Sequence, residues 1–235
     1  YFNHMTTLTI IIPVYNETST ITEILQKVIN VNIDKQIIVV DDYSTDNSRE
    51  KILKMKNKID EIIFHEKNLG KGAAIKSGQK FVKGKYVIIQ DADLEYDPND
   101  YEKLIEPLKN KQNKVVYGSR VLGKKRYGLT NFSSLSRVFF NHCLTILSNT
   151  LNNQNLTDAH TCYKVFDADI FKKFNLEEKK FGFCPEVTTK VSKLGYQISE
   201  IPITYKGRSY KQGKKIKFID GIKAIIVLIK YRFFI

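Results

Sequence analysis

Apolar runs alternate with helical patterns along the first half of the chain. The runs at 8–14 and 85–90 are short and rich in β-branched residues, which predicts buried strands. Residues 18–30 instead place their apolar side chains at helical spacing. Further strands are predicted at 36–41, 61–65 and 114–117, and further helices at 46–57, 70–82 and 98–109. This alternation predicts an α/β fold with a mostly parallel central sheet flanked by helices.

The second half of the chain departs from this alternation. It predicts a helix at 139–151, a strand at 161–166, a helix at 185–194, a strand element at 196–205 and a last helix at 218–232. Residues 206–217 form a densely basic segment before that last helix. No linker-like composition is found, so we predict one domain over 5–216 followed by an amphipathic C-terminal helix at 217–235. Residues 1–4 resemble the remnant of an expression tag and are left out of the fold prediction.

An acidic triplet follows the strand predicted at 85–90. Asp91, Asp93 and Glu95 stand at alternate positions, and alternate side chains of an extended chain point to the same side. Three carboxylates there repel one another unless a cation lies between them, and a divalent cation such as Mg²⁺ prefers carboxylate oxygens. The alternative is an acidic turn that opens the next helix, with Asp97 as its N-cap. The triplet alone does not separate these two interpretations.

Composition narrows the class of partner. The net charge of +13 predicts anionic partners, such as nucleic acid, phosphorylated small molecules or an anionic membrane surface. The three cysteines are widely spaced and form no CxxC pair, which favours a reducing, cytoplasmic compartment over a disulfide framework or a thiolate zinc site. No apolar run reaches the roughly 18 residues that a membrane-spanning helix needs.

Two sets of short motifs relate the chain to a known family. The first set is PVYNE at 13–17, VDDYSTD at 40–46, NLGKGAA at 68–74 and DAD at 91–93. In this order and spacing it resembles the family-2 inverting glycosyltransferases of GT-A fold. The second set is GSR at 118–120, DAHTCYK at 158–164, FCPE at 183–186 and PITYKGRSYKQGKKI at 202–216. It resembles the branch of dolichyl- and polyprenyl-phosphate hexosyltransferases, and it implies that 5–216 is the catalytic domain.

The resemblance implies a nucleoside-diphosphate sugar as donor. Its diphosphate needs a cation that bridges the oxygens and stabilises the leaving group. Asp91, Asp93 and Glu95 are implied as ligands of Mg²⁺ or Mn²⁺, with the two aspartates catalytic, although many relatives carry Gln at the Glu95 position. The donor nucleotide is expected at Pro13, Tyr15, Glu17, Asp42, Lys71 and Ala92. We interpret residues 70–72 as a helix start whose amides and Lys71 lie near the donor, and the alternative is that the small residues at 72–74 serve tight packing.

The resemblance also implies a polyprenyl or dolichyl phosphate as acceptor. A phosphomonoester is already an anionic nucleophile, so it needs positive charge rather than a general base. Guanidinium groups bind phosphate in a bidentate manner, and the implied acceptor-phosphate residues are Arg120, Arg137 and Arg208, with Lys214 assisting. Arg120 is also a candidate catalytic residue, and Arg137 on a solvated helix face is the alternative for that position. Asp158 is the candidate catalytic base if the acceptor is a hydroxyl.

The predicted function is an inverting, metal-dependent transfer of a hexose to polyprenyl or dolichyl phosphate. Donors of the GDP-mannose and UDP-glucose types both remain open. The C-terminal helix carries basic residues beside a broad apolar surface, which suits either a membrane interface or packing on the domain. We therefore expect a peripheral protein at the cytoplasmic face of a membrane.

One alternative to this predicted function is a transferase of the same fold that acts on a glycan or protein hydroxyl. The other is a basic nucleic-acid-binding module, but no nucleic-acid motif is found and no such partner is expected.

Overall fold

The computed structural model describes residues 6–111, 113–123, 132–208 and 218–235, and for 132–137 and 218 it describes the backbone alone. The predicted tag remnant at 1–4 and the acceptor candidate Lys214 lie outside the described residues. Arg137 lies on a described helix, but its side chain is outside the description.

A seven-stranded sheet forms the centre of the molecule. Its strands are β1 (Leu8–Val14), β2 (Lys35–Asp41), β3 (Glu61–Phe64), β4 (Tyr86–Ile89), β5 (Val115–Ser119), β6 (Lys164–Asp167) and β7 (Ser199–Pro202). The order across the sheet is β3-β2-β1-β4-β6-β5-β7. β6 runs antiparallel to both of its neighbours, and every other pairing is parallel. The predicted mostly parallel sheet is confirmed.

Helices cover the sheet on both sides. They are α1 (Ile21–Asn30), α2 (Ser48–Lys54), α3 (Lys71–Gln79), α4 (Tyr101–Lys109), α5 (Phe132–Asn152), α6 (Ala168–Lys173), α7 (Phe183–Lys193) and α8 (Phe218–Phe233). Two short 3₁₀ turns occur at Lys56–Lys58 and Pro98–Asp100. The prediction missed α6 and started the long helix α5 seven residues too late, at 139 instead of 132. The predicted capping role of Asp97 is confirmed, because its carboxylate accepts a hydrogen bond from the Asn99 amide at 3.0 Å.

Burial explains why these segments fold as they do. The inner strands β1, β2 and β4 are almost entirely buried, as expected of parallel strands that have helices on both faces. The amphipathic helix α1 buries one stripe on this sheet: Ile21, Ile24, Leu25 and Val28. That spacing follows the helical repeat, so the apolar pattern of the sequence maps directly onto the core.

The sheet brings three polar strand ends together. β2, β1 and β4 are adjacent and parallel, so the segments that follow them meet at one edge of the sheet. In open α/β sheets, ligands bind outside the carboxyl ends of the strands. The sequence motifs at 15–17, 41–42 and 91–95 all lie at this edge.

The start of α3 is fixed by close backbone packing. Gly70 has a φ of +98°, and a Cβ atom there would overlap the carbonyl oxygen of Lys179. The amide of Gly72 donates to the carbonyl oxygen of Lys180 at 3.2 Å, so it is not free to face a donor. The tight-packing interpretation of these glycines is therefore confirmed. Its effect is to hold Lys71, the first residue of α3, beside the strand ends.

Candidate active site

A cluster of four carboxylates lies at the ends of β1 and β4. Glu17 follows β1, and Asp91, Asp93 and Glu95 follow β4. Glu17 and Asp93 are each only 8% exposed, so their charges are largely removed from water. We call these four residues the acid cluster. Carboxylates that are buried together need positive charge close by, and two basic residues of the chain supply it.

Lys71 pairs with the first member of the acid cluster. Its ammonium group donates to a carboxylate oxygen of Asp91 and to Cys162 Sγ, the latter at 3.3 Å. Burial opposes the charge on Lys71, but the Asp91 carboxylate outweighs it and raises the pKa of Lys71 above its usual range. Burial likewise opposes the charge of Asp91, and the Lys71 ammonium reverses this and lowers the pKa of Asp91. The pair is therefore ionised on both sides.

Arg208 supplies the second positive charge. Its Nη2 donates to Asp93 Oδ2 at 2.6 Å, and its Nη1 donates to Glu17 Oε2 at 3.1 Å. Its backbone amide donates to Glu95 Oε1 at 2.7 Å. The sequence placed Arg208 on an acceptor phosphate, whereas the structure places its guanidinium among the carboxylates predicted to hold a metal.

Glu95 holds the chain segment that carries Arg208. Its Oε2 accepts a hydrogen bond from the Tyr205 hydroxyl at 2.8 Å, and its carbonyl oxygen accepts one from the Lys206 amide at 2.9 Å. The prediction that Glu95 converges with Asp91 and Asp93 on one cation does not match this geometry. Among the described residues, no group of three or more His, Cys, Asp or Glu side chains is arranged to hold a metal ion. The physical reason is that these carboxylates bind different partners: Lys71 at Asp91, Arg208 at Asp93, and Tyr205 at Glu95.

The acid cluster lacks positive charge even with these two partners. Burial, together with the charges of Asp91 and Glu95, raises the pKa of Asp93 to about 7, although Arg208 acts in the opposite direction. Four carboxylates face two cations, so an added cation would relieve the remaining repulsion. The donor set of Asp91 and Asp93 is therefore chemically suited to a hard divalent cation.

The residues predicted to bind the nucleotide lie at the same edge of the sheet, but their side chains differ in solvent exposure. Tyr15 presents a ring that is 37% exposed, whereas Pro13 belongs to β1 itself. Ala92 is buried, and its carbonyl oxygen accepts a hydrogen bond from Thr20 Oγ1 at 2.9 Å. Tyr15 is thus the predicted nucleotide residue whose side chain is most accessible to a ligand at this edge.

Asp42 is held by its own chain. Its Oδ1 accepts hydrogen bonds from His65 Nδ1 and from the Leu69 amide, both at 2.8 Å, and its Oδ2 accepts one from the Gly70 amide at 2.6 Å. Ser77 Oγ lies 2.9 Å from the second nitrogen of the His65 ring. Asp42 therefore ties the end of β2 to the start of α3. Sequence reasoning missed His65, although its place just after β3, at the same strand edge, was a usable signal.

Arg120 and Asp158 form a buried ion pair. Arg120 Nε donates to Asp158 Oδ2 at 2.6 Å, and its Nη2 donates to Oδ1 at 2.7 Å. Burial alone would raise the pKa of Asp158, but the Arg120 guanidinium lowers it to about 2. A carboxylate with both oxygens bound and such low proton affinity is a poor general base, so the geometry disfavours the catalytic-base role predicted for Asp158. Sequence reasoning missed Glu200, whose carboxylate accepts a hydrogen bond from the Asp158 amide at 2.9 Å. This bond fixes the loop that carries Asp158.

Arg120 also connects this ion pair to the acid cluster. Its guanidinium carbon lies 5.2 Å from the centre of the Tyr205 ring, within the range of a cation–π contact. Tyr205 in turn donates to Glu95. The two arginines expected at an acceptor phosphate, Arg120 and Arg208, therefore lie in one continuous network.

The fold is the GT-A fold of glycosyltransferases. The structure resembles that of glucosyl-3-phosphoglycerate synthase from Mycobacterium tuberculosis, with a TM-score of 0.72 at 16% identity over 96% of this chain and 80% of that chain. A complex of that enzyme with Mn²⁺, uridine diphosphate and glucosyl-3-phosphoglycerate gives a TM-score of 0.68 at 15% identity, over 96% of this chain and 80% of that chain. At such identity the likeness supports the fold alone.

The sequence assigns the family. Residues 9–174 match the model of Glycosyl transferase family 2, and the chain belongs to this family. It is 28% identical to a dolichyl-phosphate beta-glucosyltransferase from Trichomonas vaginalis, over 97% of this chain and 73% of that protein. It is 27% identical to a UDP-N-acetylglucosamine–dolichyl-phosphate N-acetylglucosaminyltransferase from Methanococcus voltae, over 91% of both chains. The family that the sequence motifs predicted is therefore confirmed.

Replacing Asp158 with Asn is expected to lower the free energy of unfolding by about 3–5 kcal/mol at pH 7, because Arg120 stays buried without a counter-charge. The folded-state pKa of Asp158 is depressed to about 2, so its stabilisation is complete above the unfolded value of about 3.9 and is lost as the pH falls through about 2. Urea unfolding at pH 7, 4 and 3 measures the difference in the free energy of unfolding between wild type and variant. This difference should be smaller at pH 3 than at pH 7.

The matched control is Glu23→Gln, which removes an exposed pair with Lys27 and should change stability by less than about 0.5 kcal/mol. A difference for Asp158→Asn that is equally small, or that does not change with pH, would contradict the assigned role of the ion pair.

Proposed function

We propose that this protein transfers a hexose from a nucleoside-diphosphate sugar to a polyprenyl or dolichyl phosphate, with inversion and with a divalent metal ion. The observation that carries this proposal is the shared network of the acid cluster with Arg120 and Arg208. It brings groups that suit a metal ion and groups that suit an acceptor phosphate into one site. The relatives from Trichomonas vaginalis and Methanococcus voltae, which are named for transfer of glucose and of N-acetylglucosamine to dolichyl phosphate, support a lipid phosphate as the acceptor.

Asp91 and Asp93 are the residues that would hold Mg²⁺ or Mn²⁺. When bound, the ion would offset the charge of the donor diphosphate and of the leaving nucleotide. Both carboxylates already bind a cation of the chain, which shows that each has an oxygen directed to positive charge. Glu95 takes a different role in the proposal, because its carboxylate holds the segment at 205–208.

The donor would lie along the ends of β1 and β2. The exposed ring of Tyr15 can pack on a nucleoside, and Asp42 orders the segment at 68–70 beside it. We propose a uridine diphosphate sugar rather than a guanosine one. The Methanococcus voltae relative is named for such a donor.

The acceptor is proposed to be a phosphate rather than a hydroxyl. A hydroxyl acceptor needs a general base, but both oxygens of the candidate Asp158 are bound by Arg120. A phosphomonoester is itself an anion near neutral pH and needs only to be brought against the anionic donor. Arg120 and Arg208 are the guanidinium groups available for that attraction.

One face of α8 suggests a contact with the membrane surface that would carry such a lipid. Five of its apolar residues are between 39% and 64% exposed and repeat at helical spacing: Ile219, Ile222, Ile226, Ile229 and Phe233. The opposite side of α8 is buried, with Val227 and Leu228 almost inaccessible. Of the described helices, none is long and apolar enough to cross a membrane. We propose that α8 lies on the cytoplasmic face of a membrane, with its exposed stripe toward the lipid.

The acceptor proposal predicts transfer of labelled glucose from UDP-glucose to polyprenyl phosphate and not to the corresponding alcohol. Removal of metal with a chelator should abolish transfer, and Mn²⁺ or Mg²⁺ should restore it. Asp93→Asn should lower kcat by about 10²–10³-fold, the scale of losing one group that stabilises developing charge. The control Glu102→Gln changes an exposed carboxylate of α4 and should be neutral. Equal transfer to the alcohol, or to a glycan hydroxyl alone, would contradict the proposal.

The membrane proposal predicts that replacing both Ile226 and Ile229 with Glu weakens binding to anionic vesicles. These residues are 59% and 41% exposed, so the change should leave the fold intact. The loss of apolar contact and the added negative charge should reduce vesicle affinity by at least about tenfold in a co-sedimentation assay. The control Leu53→Glu changes a leucine of α2 that is 48% exposed. An equal loss in the control, or no loss in the double variant, would contradict this role of α8.

A further inference from the structure

Arg208 binds one of the two carboxylates that the proposed function gives to a metal ion. Its guanidinium binds Asp93 and Glu17 and lies 3.7 Å from a carboxylate oxygen of Glu95, measured from Nε. That Nε is buried and has no hydrogen-bond partner in the part of the chain that the structure describes. The guanidinium thus offsets part of the charge of the acid cluster but leaves one of its own donors unsatisfied, which weakens the arrangement.

We propose that Arg208 is a displaceable counter-cation, which holds the acid cluster while the donor site is empty and is released to the acceptor phosphate when the metal ion and donor bind. This inference rests on the proposed function and adds to it an order of binding. The same guanidinium would serve two anionic partners in succession, first the acid cluster and then the acceptor phosphate.

Competition for one carboxylate makes the exchange necessary. Arg208 Nη2 lies 2.6 Å from Asp93 Oδ2, so a metal ion bound to that oxygen would take the place of the guanidinium. A divalent ion also neutralises the surplus of carboxylates better than a single positive charge does. The metal ion and Arg208 therefore oppose each other at Asp93, whereas Glu95 can keep its hold on the Arg208 backbone.

Lys71 is not equivalent to Arg208, although it too binds the acid cluster. Lys71 opens α3, whose start is fixed by the packing of Gly70 on the backbone of Lys179. Arg208 instead follows the last strand, β7, on a segment that Glu95 and a bridge between Tyr205 and Tyr96 hold. Of the two cations, Arg208 is the one whose displacement leaves the helices and strands undisturbed.

The exchange couples the two substrates. A guanidinium that is paired with Asp93 and Glu17 cannot give its donors to a phosphate. Tyr205, on the segment that carries Arg208, contacts both Arg120 and Glu95, so a displaced Arg208 guanidinium would be released near Arg120, where a phosphate would meet two guanidinium groups. By linkage, metal–donor binding should then raise the affinity for the acceptor phosphate, and the acceptor should raise the affinity for the metal–donor pair.

The test measures Mn²⁺ binding directly, from the electron paramagnetic resonance signal of free Mn²⁺, with no substrate turnover. Arg208→Ala should bind Mn²⁺ at least about tenfold more tightly than wild type, because the competing cation is gone. Lys206→Ala is the matched control, since it removes the same charge from an exposed neighbour and should leave the affinity unchanged. If Arg208→Ala does not fold, Arg208→Gln takes its place.

The second measurement is the binding of farnesyl phosphate with and without Mn²⁺ and uridine diphosphate. Wild type should bind it more tightly when both are present, and Arg208→Ala should lose that increase. The exchange would be overturned if Arg208→Ala bound Mn²⁺ no more tightly than wild type does. It would also be overturned if Mn²⁺ and uridine diphosphate raised the affinity of Arg208→Ala for farnesyl phosphate as much as they raise that of wild type. Either result would leave the proposed function intact. Wild type that binds neither Mn²⁺ nor uridine diphosphate would overturn both.

Discussion

Mutual repulsion among four neighbouring carboxylates, two of them buried, is the constraint on which the candidate active site depends. Glu17 and the three acidic residues after β4 can remain close only because positive charge is placed among them. Much of the surrounding architecture serves that placement. Close packing of Gly70 fixes the helix start that carries Lys71, and Glu95 fixes the segment that carries Arg208. Both basic residues thus reach the carboxylates from distant parts of the chain, and the site exists only in the folded protein.

The local pattern predicted most of the sheet, because buried parallel strands are continuous apolar runs and their covering helices are amphipathic. The pattern did not predict the direction of a strand or which strands are its neighbours in the sheet. The strand at Lys164–Asp167 was expected, but alternation along a strand carries no information on its insertion, antiparallel, between β4 and β5. The convergence of Asp91, Asp93 and Glu95 was inferred from alternate positions, which holds only in extended chain. β4 ends at Ile89, and the bends beyond it turn Glu95 toward Tyr205 instead.

The predicted basic residues show the same limit. Arg120 and Arg208 were identified by family motifs, and both do lie in the site, but their partners come from elsewhere in the chain. Arg120 and Asp158 form one ion pair, and Glu200 of β7 fixes the loop that carries Asp158. No local signal in the sequence pairs these three positions, since only the fold brings them together. The roles of Arg137 and Lys214 stay predictions.

The proposal joins three layers: a sheet that gathers strand ends, an acid cluster that demands positive charge, and two arginines that would link this cluster to an acceptor phosphate. Its central claim is that the acid cluster binds a nucleotide through a divalent metal ion. Thermal unfolding with uridine diphosphate, in Mn²⁺ and in chelator, tests this most directly, since a ligand that binds the native state raises its apparent stability. The account predicts a rise of several degrees that requires the metal ion and is absent in Asp93→Asn. No shift by any nucleotide with Mn²⁺ present would contradict it.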